Sequence, residues 1–288
     1  MSVIITPHRF SGVVRVPEGS ARNPVSDLMP ADFSFAVFAA AAAVVSGGSV
    51  DLFGLDPEFS TETTGSDSTL ADTQNNKAFF GFLEKMGCKV QWEQVPLQQD
   101  RSEHVPSEHV SPEHGSPERV PLGEDIIEEL HPFGLHALGV QLPGLHFAEW
   151  QLTVSRNGSL PGGKFDLDDT PGLLPVLAVV ACFAKGDTTL VNAAGSRIGK
   201  ADCTAIVAEE LGRMGVETSK LPAGLIIHGR GKLPQSPLKL NGHNDHCLVM
   251  ALACAALRCL QPVEIVGAES TLLAYPGFFE MLNLKCQK

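Results

Sequence analysis

The chain has 288 residues and a formal net charge of −12, from 21 Lys and Arg against 33 Asp and Glu. This acidic balance argues against a nucleic-acid partner, because phosphate neutralisation needs Lys and Arg gathered on one face. The longest apolar stretches are shorter than the ~20 residues of a membrane span, so no membrane association is predicted. The first residues, MSVIITPHRF, do not resemble a secretory signal, and we expect a cytoplasmic protein.

The first predicted unit is an apolar helix followed by a strand. Residues 39–55 read AAAAAVVSGGSVDLFGL, an Ala- and Val-rich run, a small-residue turn and a short β-branched segment. An amphipathic helix and a second strand follow at residues 79–93, where Gly87 fits the left-handed position that ends a helix. The first helix is apolar nearly all round, so we predict that it is central and that the second is peripheral.

An acidic low-complexity stretch interrupts the chain at residues 94–130. It contains an imperfect pentapeptide repeat that reads SEHVP, SEHVS, PEHGS and PERVP. The stretch has nine acids, two bases and five prolines, and few large apolar residues that would offset the entropy of ordering. We predict a disordered insert at the surface. The alternative is a weak metal-binding tract formed by His104, His109 and His114.

The helix–strand unit occurs twice more after the insert, at residues 177–193 and 252–268. A second, amphipathic helix follows the former within residues 206–220. Its charged residues, among them Glu209 and Glu210, are predicted to lie on an exposed face. A last helix is predicted within residues 276–286.

Alternating helices and strands with this period predict an α/β protein built from repeated units. We place one unit in a partial first lobe at residues 1–93. The insert follows, and the other two units form a second lobe at residues 131–288.

The seven cysteines are scattered, and they form neither a CxxC pair nor a zinc-ligand spacing. We therefore interpret them as buried free thiols that pack as small apolar side chains. The sequence contains no Walker loop and no GxGxxG after a strand. We expect no metal, nucleotide or redox cofactor.

A series of short segments, in order along the chain, carries a family resemblance. The segments are DFSFAVFAAAAAVVSGGSV from Asp32, QNNKAFFGFLEKMG from Gln74, DLDDTPGLL from Asp166, AKGDTTLVN from Ala184, RIGKADC from Arg197, NDHCLVM from Asn244 and TLLAYPGFF from Thr271. Together they resemble the motifs of EPSP synthase, the enolpyruvyl transferase of the shikimate pathway. The similarity begins near Val14 and continues to the C-terminus, interrupted by the insert.

The resemblance implies a fold of two lobes, each made of three βαβαββ units, with the active site in the cleft between them. It also implies that the N-terminal units of the family are missing from this chain. The family joins shikimate phosphate to phosphoenolpyruvate, so an anionic cyclohexene or aromatic acid is the implied ligand.

The same resemblance implies that much of the family's charged machinery is replaced. The family's base falls at Gly172, its motif glutamate falls at Lys200, and four of its cations fall at Gly199, Cys203, Cys247 and Leu273. One preorganised donor typically contributes about 3–4 kcal/mol to transition-state stabilisation, and a general base about 10²–10⁴-fold. We expect the family reaction to be lost or altered, as in a pseudoenzyme.

The candidate site consists of the matching residues and their near neighbours. We predict Asp169 and His246 as the acid and base, with Asp168 and His243 as sequence neighbours that can share these roles. The predicted substrate-binding residues are Ser34, Gln74, Arg197, Lys200, Asp202 and Asp245.

Several of these residues also have a purely structural interpretation. Asp245 can be a helix N-cap, Arg197 can form a surface ion pair, and Asp168 and Asp169 can cap the helix that starts near Pro171.

A non-catalytic binding or scaffolding module is the alternative function. Repeat units that lack their neighbours expose apolar surface, which needs to be covered. This interpretation predicts a homo-oligomer or association with another protein.

Overall fold

The computed structural model describes most of the chain outside its acidic stretch. The described ranges are residues 2–5, 12–15, 33–55, 57, 76–96, 148–198, 201–230 and 238–282. Contacts group residues 1–94 and 150–288 into one compact unit and residues 95–149 into another. The second unit falls almost wholly outside the described ranges, so the fold given below is that of the first.

Seven α-helices and fourteen strands occur in the described ranges. The helices are α1 (Phe33–Ser46), α2 (Ala78–Lys85), α3 (Leu174–Cys182), α4 (Cys203–Arg213), α5 (His246–Ala256), α6 (Glu269–Ala274) and α7 (Phe278–Met281). The strands are β1 (Ser2–Ile5), β2 (Gly12–Arg15), β3 (Ser49–Phe53), β4 (Cys88–Pro96), β5 (Ala148–Arg156), β6 (Leu160–Pro161), β7 (Lys164–Asp166), β8 (Ala184–Val191), β9 (Arg197–Ile198), β10 (Ala201–Asp202), β11 (Glu217–Leu221), β12 (Gly224–Arg230), β13 (Leu238–Asn241) and β14 (Val263–Val266). A short 3₁₀ turn, Pro171–Leu173, leads into α3.

Three apolar helices, α1, α3 and α5, pack against one another and form the core. Every residue of α3 is buried, and Ser34 is the one residue of α1 that is not. The thiol of Cys254 on α5 donates to the carbonyl oxygen of Phe38 on α1 at 3.4 Å. A helix that is apolar all round has no face for water, and this confirms the prediction that the first helix of each unit is central.

The strands form sheets against these helices. The largest sheet has the order β11-β12-β8, with β6 and β7 both parallel to β8 at its other side. The other sheets have the orders β2-β3-β5-β4 and β1-β14-β13, and β9 pairs with β10. Each central helix packs on the strand that follows it, α1 on β3, α3 on β8 and α5 on β14. The predicted α/β fold of repeated helix–strand units is thereby confirmed.

The helices α2 and α4, each the second helix of its repeat unit, end at the glycines that the sequence indicates. Gly87 after α2 and Gly215 after α4 have φ angles of 78° and 76°, the left-handed region that glycine enters without steric cost. Near the C-terminus, α7 lies within the range predicted for the last helix, and α6 precedes it.

The described core spans both sides of the acidic stretch. Because α1 packs with α3 and α5, residues 33–94 and 150–282 share one core, whereas the sequence places a lobe boundary between them. The bounds of two lobes stay a prediction. The strand β4 continues through Pro96, three residues into the stretch predicted as an insert. Residues 97–130, with the three histidines, lie outside the described residues, and their disorder also stays a prediction.

In the portion of the chain described here, no helix combines the length and the apolar character that crossing a bilayer requires.

Candidate functional site

A pocket of about 350 Å³ lies where α1, α3, α4 and α5 begin. Both apolar and polar side chains line it. The lining residues are Ser34, Val37, Phe38, Asn76, Asp169, Thr170, Pro171, Gly172, Leu173, Pro175, Val176, Gly195, Ser196, Ile198, Cys203, Asp245, His246, Cys247 and Tyr275. This volume is at the lower end of the ~300–1,000 Å³ of small-molecule sites and has room for one ring-sized ligand.

Four of the predicted site residues meet in this pocket. Ser34, Asp169, Asp245 and His246 all line it, although they are distant in sequence. Their roles in binding or catalysis stay predictions. Asp202 lies beside it, immediately before the lining residue Cys203.

The remaining predicted residues are described in part or not at all. Gln74 and Lys200 lie outside the described residues. The backbone of Arg197 forms β9, while its side chain lies outside what the structure describes.

Three positions at which the family resemblance implies charged groups also line the pocket. They are Gly172, at the position of the base, and Cys203 and Cys247, at positions of arginine. Among the described residues that line the pocket, there is no Lys or Arg. The described lining therefore supplies two carboxylates and no fixed cation.

Ser34 is held by Asn76, which is not among the predicted site residues. The side-chain amide of Asn76 donates to the Ser34 hydroxyl at 2.8 Å, joining the loop before α2 to the first turn of α1. Asn76 stands two residues after Gln74 in the same motif, and that proximity is the signal that could have identified it.

The carboxylates of Asp202 and Asp245 cap the helices that reach the pocket. Asp245 accepts from the backbone N–H of Leu248 at 2.8 Å, and Asp202 accepts from that of Thr204 at 2.9 Å. The predicted N-cap role of Asp245 is confirmed. Because an N-terminal N–H of each helix is satisfied by a fixed carboxylate, less of the helix dipole is left to attract an incoming anion.

The pKa of the Cys203 thiol is affected by its burial and by the same two carboxylates. Burial raises the pKa of the Cys203 thiol to about 11, and the charges of Asp245 and Asp202 act in the same direction. A hydrogen bond with the Ser196 side chain acts against them. The potential at the position of a family arginine is therefore unfavourable to a further negative charge.

An aromatic wall completes the pocket. Tyr275, after α6, lies with its ring 5.9 Å from the His246 ring and 5.7 Å from that of Phe35. Tyr275 stands in the segment TLLAYPGFF, and the sequence alone gives it no role. In the structure it forms a flat surface against which a ring can pack.

The structure also places the sequence neighbours of these residues. The N-cap position of the 3₁₀ turn before α3 is occupied by Thr170, and not by Asp168 or Asp169, and Thr170 makes no side-chain capping bond. His243 does not line the pocket, and its Nε2 faces Glu210 Oε1 at 3.5 Å.

The position of Glu210 differs most from the prediction. It was expected on an exposed face with Glu209, but its side chain is completely buried. Its Oε2 accepts from the backbone N–H of Asn241 at 2.9 Å, and its Oε1 lies 3.4 Å from Arg213 Nε. Glu210 thereby ties α4 to the turn that leads to Asp245.

The turn after β13 has a strained backbone. His243 and Asn244 have φ angles of 50° and 55°, which non-glycine residues seldom adopt. The Asn241 side chain accepts from the backbone N–H of His243 at 2.9 Å. This bond and the bond from the Asn241 N–H to the Glu210 carboxylate hold the turn in the conformation that presents Asp245 and His246 to the pocket.

We expect Asp245→Ala to lower the free energy of unfolding by about 1 kcal/mol, because the Leu248 N–H loses its acceptor. Asp245→Asn retains a capping oxygen and should cost a few tenths of a kcal/mol. Urea unfolding of the two variants measures the difference. Equal losses would contradict a capping role.

In the described ranges, no group of three His, Cys, Asp or Glu side chains is arranged to hold a metal ion.

Solved enolpyruvyl transferases share this fold. The EPSP synthase of Acinetobacter baumannii superposes with a TM-score of 0.58 at 20% identity, over 90% of this chain and 48% of that one. The enolpyruvyl transferase NikO of Streptomyces tendae superposes with a TM-score of 0.52 at 15% identity, over 90% and 44%. The repeated units around three central helices are therefore those of an enolpyruvyl-transferase fold.

Sequence comparison identifies the family. The family model of EPSP synthase (3-phosphoshikimate 1-carboxyvinyltransferase) matches residues 135–282. A 3-phosphoshikimate 1-carboxyvinyltransferase of Ruminiclostridium cellulolyticum is 42% identical over 125 residues, 43% of this chain and 29% of that protein. One of Syntrophobacter fumaroxidans is 30% identical over 250 residues, 87% and 43%. The chain belongs to the EPSP synthase family, and it spans less than half the length of these relatives.

Proposed function

We propose that this EPSP synthase-like domain binds one cyclohexene or aromatic acid and that the carboxyvinyl transfer reaction is lost. One observation carries the proposal. Gly172, Cys203 and Cys247, which stand where the family resemblance implies a base and two arginines, line the same pocket, and the described lining contains no cation.

The family reaction brings two anionic reactants together in one site. Shikimate phosphate and phosphoenolpyruvate are both multiply negative, so holding them side by side needs several charge-assisted donors. The described lining instead presents Asp169 and Asp245. A single ring with fewer charges can use the hydroxyl of Ser34, the amide of Asn76 and the ring of Tyr275.

The names of the matched relatives favour a small-ligand site over the scaffolding alternative. Each is named as a transferase, and the pocket at the helix starts is a feature for a small ligand. Self-association and a protein partner remain predictions.

The proposal is tested by placing one arginine in the pocket. Cys247 is partly exposed at the start of α5, so an arginine there can extend into the pocket. A charge-assisted hydrogen bond contributes about 1.5–3 kcal/mol, so we expect Cys247→Arg to tighten the binding of phosphoenolpyruvate roughly tenfold or more. Isothermal titration calorimetry measures both proteins, and the gain should shrink as salt is raised.

Cys247→Ala is the matched control, since it removes the thiol without adding charge and should leave affinity unchanged. Phosphate release from shikimate phosphate plus phosphoenolpyruvate gives the activity readout, and we expect none above background from the parent chain. The proposal fails if the parent binds phosphoenolpyruvate as tightly as Cys247→Arg does, or if it releases phosphate with turnover.

A further inference from the structure

Three polar side chains form a chain of hydrogen bonds on the largest sheet, away from the pocket. The hydroxyl of Ser219 on β11 lies 2.9 Å from His228 Nε2 on β12. His228 Nδ1 lies 2.8 Å from Asp187 Oδ1 on β8. None of the three residues lines the pocket described above.

Strand pairing fixes this arrangement. Asp187 is directly opposite His228 in the β8–β12 ladder, and Ser219 is opposite Ile226, one diagonal step from His228. Leu225 and Ile227 point into the core, so the intervening side chains of β12 lie on the outer face. The three groups are thus held by backbone register and not by a mobile loop.

The chemistry follows from which nitrogen carries the proton. When Nδ1–H donates to the Asp187 carboxylate, the lone pair of Nε2 is free to accept the Ser219 O–H. A hydroxyl, an imidazole and a carboxylate in this order make a serine nucleophilic.

We propose that Ser219, His228 and Asp187, here called the sheet triad, form a nucleophilic site that accepts the acyl group of small carboxylic esters with good leaving groups. Ser219 is the nucleophile, His228 is the base, and Asp187 is the positioning residue that sets the imidazole tautomer.

The proposed step is an acyl transfer. Ser219 Oγ forms a bond to the carbonyl carbon of the ester while its proton passes to His228 Nε2. The bond to the leaving oxygen then breaks, and the leaving group takes that proton as an alcohol or phenol. Water repeats the sequence on the acyl-serine and releases the carboxylic acid, so atoms and electrons balance with water as the second reactant.

A backbone donor is available next to the nucleophile. Leu221 and Gly224 close a two-residue hairpin turn, and hydrogen-bonded pairs alternate along such a hairpin. By this alternation the backbone N–H and C=O of Ser219 bond to Ile226 of β12. The backbone N–H of the next residue, Lys220, therefore points away from β12. Because β11 is at the edge of the sheet within the described part of the chain, that N–H can stabilise the oxyanion.

Exposure determines the class of ester. The side chain of Asp187 is 64% exposed and that of His228 is 27% exposed, so water screens the activation. The neighbouring apolar surface is the side chain of Ile226, which suits a short acyl group. The site therefore favours small, activated esters, with an acyl-serine that forms faster than it hydrolyses.

Acetylation by p-nitrophenyl acetate tests the sheet triad in the intact chain. We expect a burst of p-nitrophenolate of at most one equivalent and an acetyl group on Ser219, located by peptide mass spectrometry. Ser219→Ala should abolish both. His228→Gln should slow acetylation of Ser219 by ~10²-fold, the usual contribution of a general base.

Asp187→Asn separates positioning from packing. It should slow the acetylation of Ser219 and also remove the downfield imidazole N–H proton signal of His228 in the NMR spectrum, with an unchanged urea midpoint. Ser159→Ala, at an exposed serine outside the sheet triad, should change neither the burst nor the labelled peptide.

The proposal is overturned if Ser219 is acetylated no faster than Ser159, or if His228→Gln leaves the rate unchanged. Because none of the three residues lines the pocket, the outcome is independent of the ligand proposed there.

Discussion

Raising the pH above about 8.5 is expected to destabilise this protein steeply, even though it contains a large apolar core. Five of its cysteines are buried thiols with raised pKa values. They are Cys88, Cys182, Cys203, Cys254 and Cys259. Burial is the first cause in each case, and it raises the pKa of Cys88 and Cys203 to about 11 and that of Cys259 to about 12.

The direction of the effect follows from proton linkage. A thiol in the unfolded chain loses its proton near pH ~8.5, whereas the folded chain keeps these thiols protonated to about pH 11. Below the unfolded pKa both states are protonated and the full stability is present. Between the two values the unfolded state binds fewer protons, so the free energy of unfolding falls as pH rises.

The size of the effect is comparable with the whole stability of a domain. One pH unit above the unfolded pKa, each such thiol favours unfolding by about 1.4 kcal/mol, so five contribute about 7 kcal/mol. Domains are typically stable by about 5–15 kcal/mol. Urea unfolding between pH 7.5 and 9.5, with a reductant present throughout, measures the slope.

Variants separate ionisation from packing. Cys182→Ala combined with Cys254→Ala should reduce the slope by about two fifths, since two of the five thiols are gone. Val179→Ala, in the same buried helix as Cys182, should lower stability at every pH and leave the slope unchanged. A slope that is the same in the cysteine variant and the parent would contradict the linkage.

The sequence was sufficient to predict the core because the core depends on one short-range property. A helix such as α1, with Ala and Val on every side, can lie only in the interior, and Gly87 and Gly215 mark helix ends through their own backbone preference. The same holds for Asp245, whose capping bond reaches three residues along the chain.

The site was less predictable, because its side chains meet through tertiary contacts. Glu209 and Glu210 are adjacent and chemically equal, yet one is exposed and the other is fully buried. What distinguishes them is a turn 31 residues further along the chain, at Asn241. His243 faces Glu210 for the same reason, although its distance in sequence from Asp245 suggested the pocket.

Replacing Glu210 with alanine is expected to be the most damaging single change near the site. The Asn241 N–H would lose its acceptor, whereas Arg213, which is half exposed, would keep its contact with Glu209. Leaving a partly buried N–H without its acceptor typically costs about 1–3 kcal/mol. We expect a loss of that size in urea unfolding of Glu210→Ala, and a smaller one for Glu210→Gln, which keeps an acceptor oxygen.

Glu209→Ala provides the matched control, because Glu209 is one residue away and also pairs with Arg213, at 2.9 Å, but is 58% exposed. Water screens an exposed pair of this kind, so this variant should be nearly neutral. Amide hydrogen exchange adds the link to the pocket. In Glu210→Ala the N–H groups of Asn241 and Leu248 should exchange faster than in Glu209→Ala, since the turn that presents Asp245 and His246 is no longer held. Equal exchange in the two variants would mean that strand pairing alone fixes this turn.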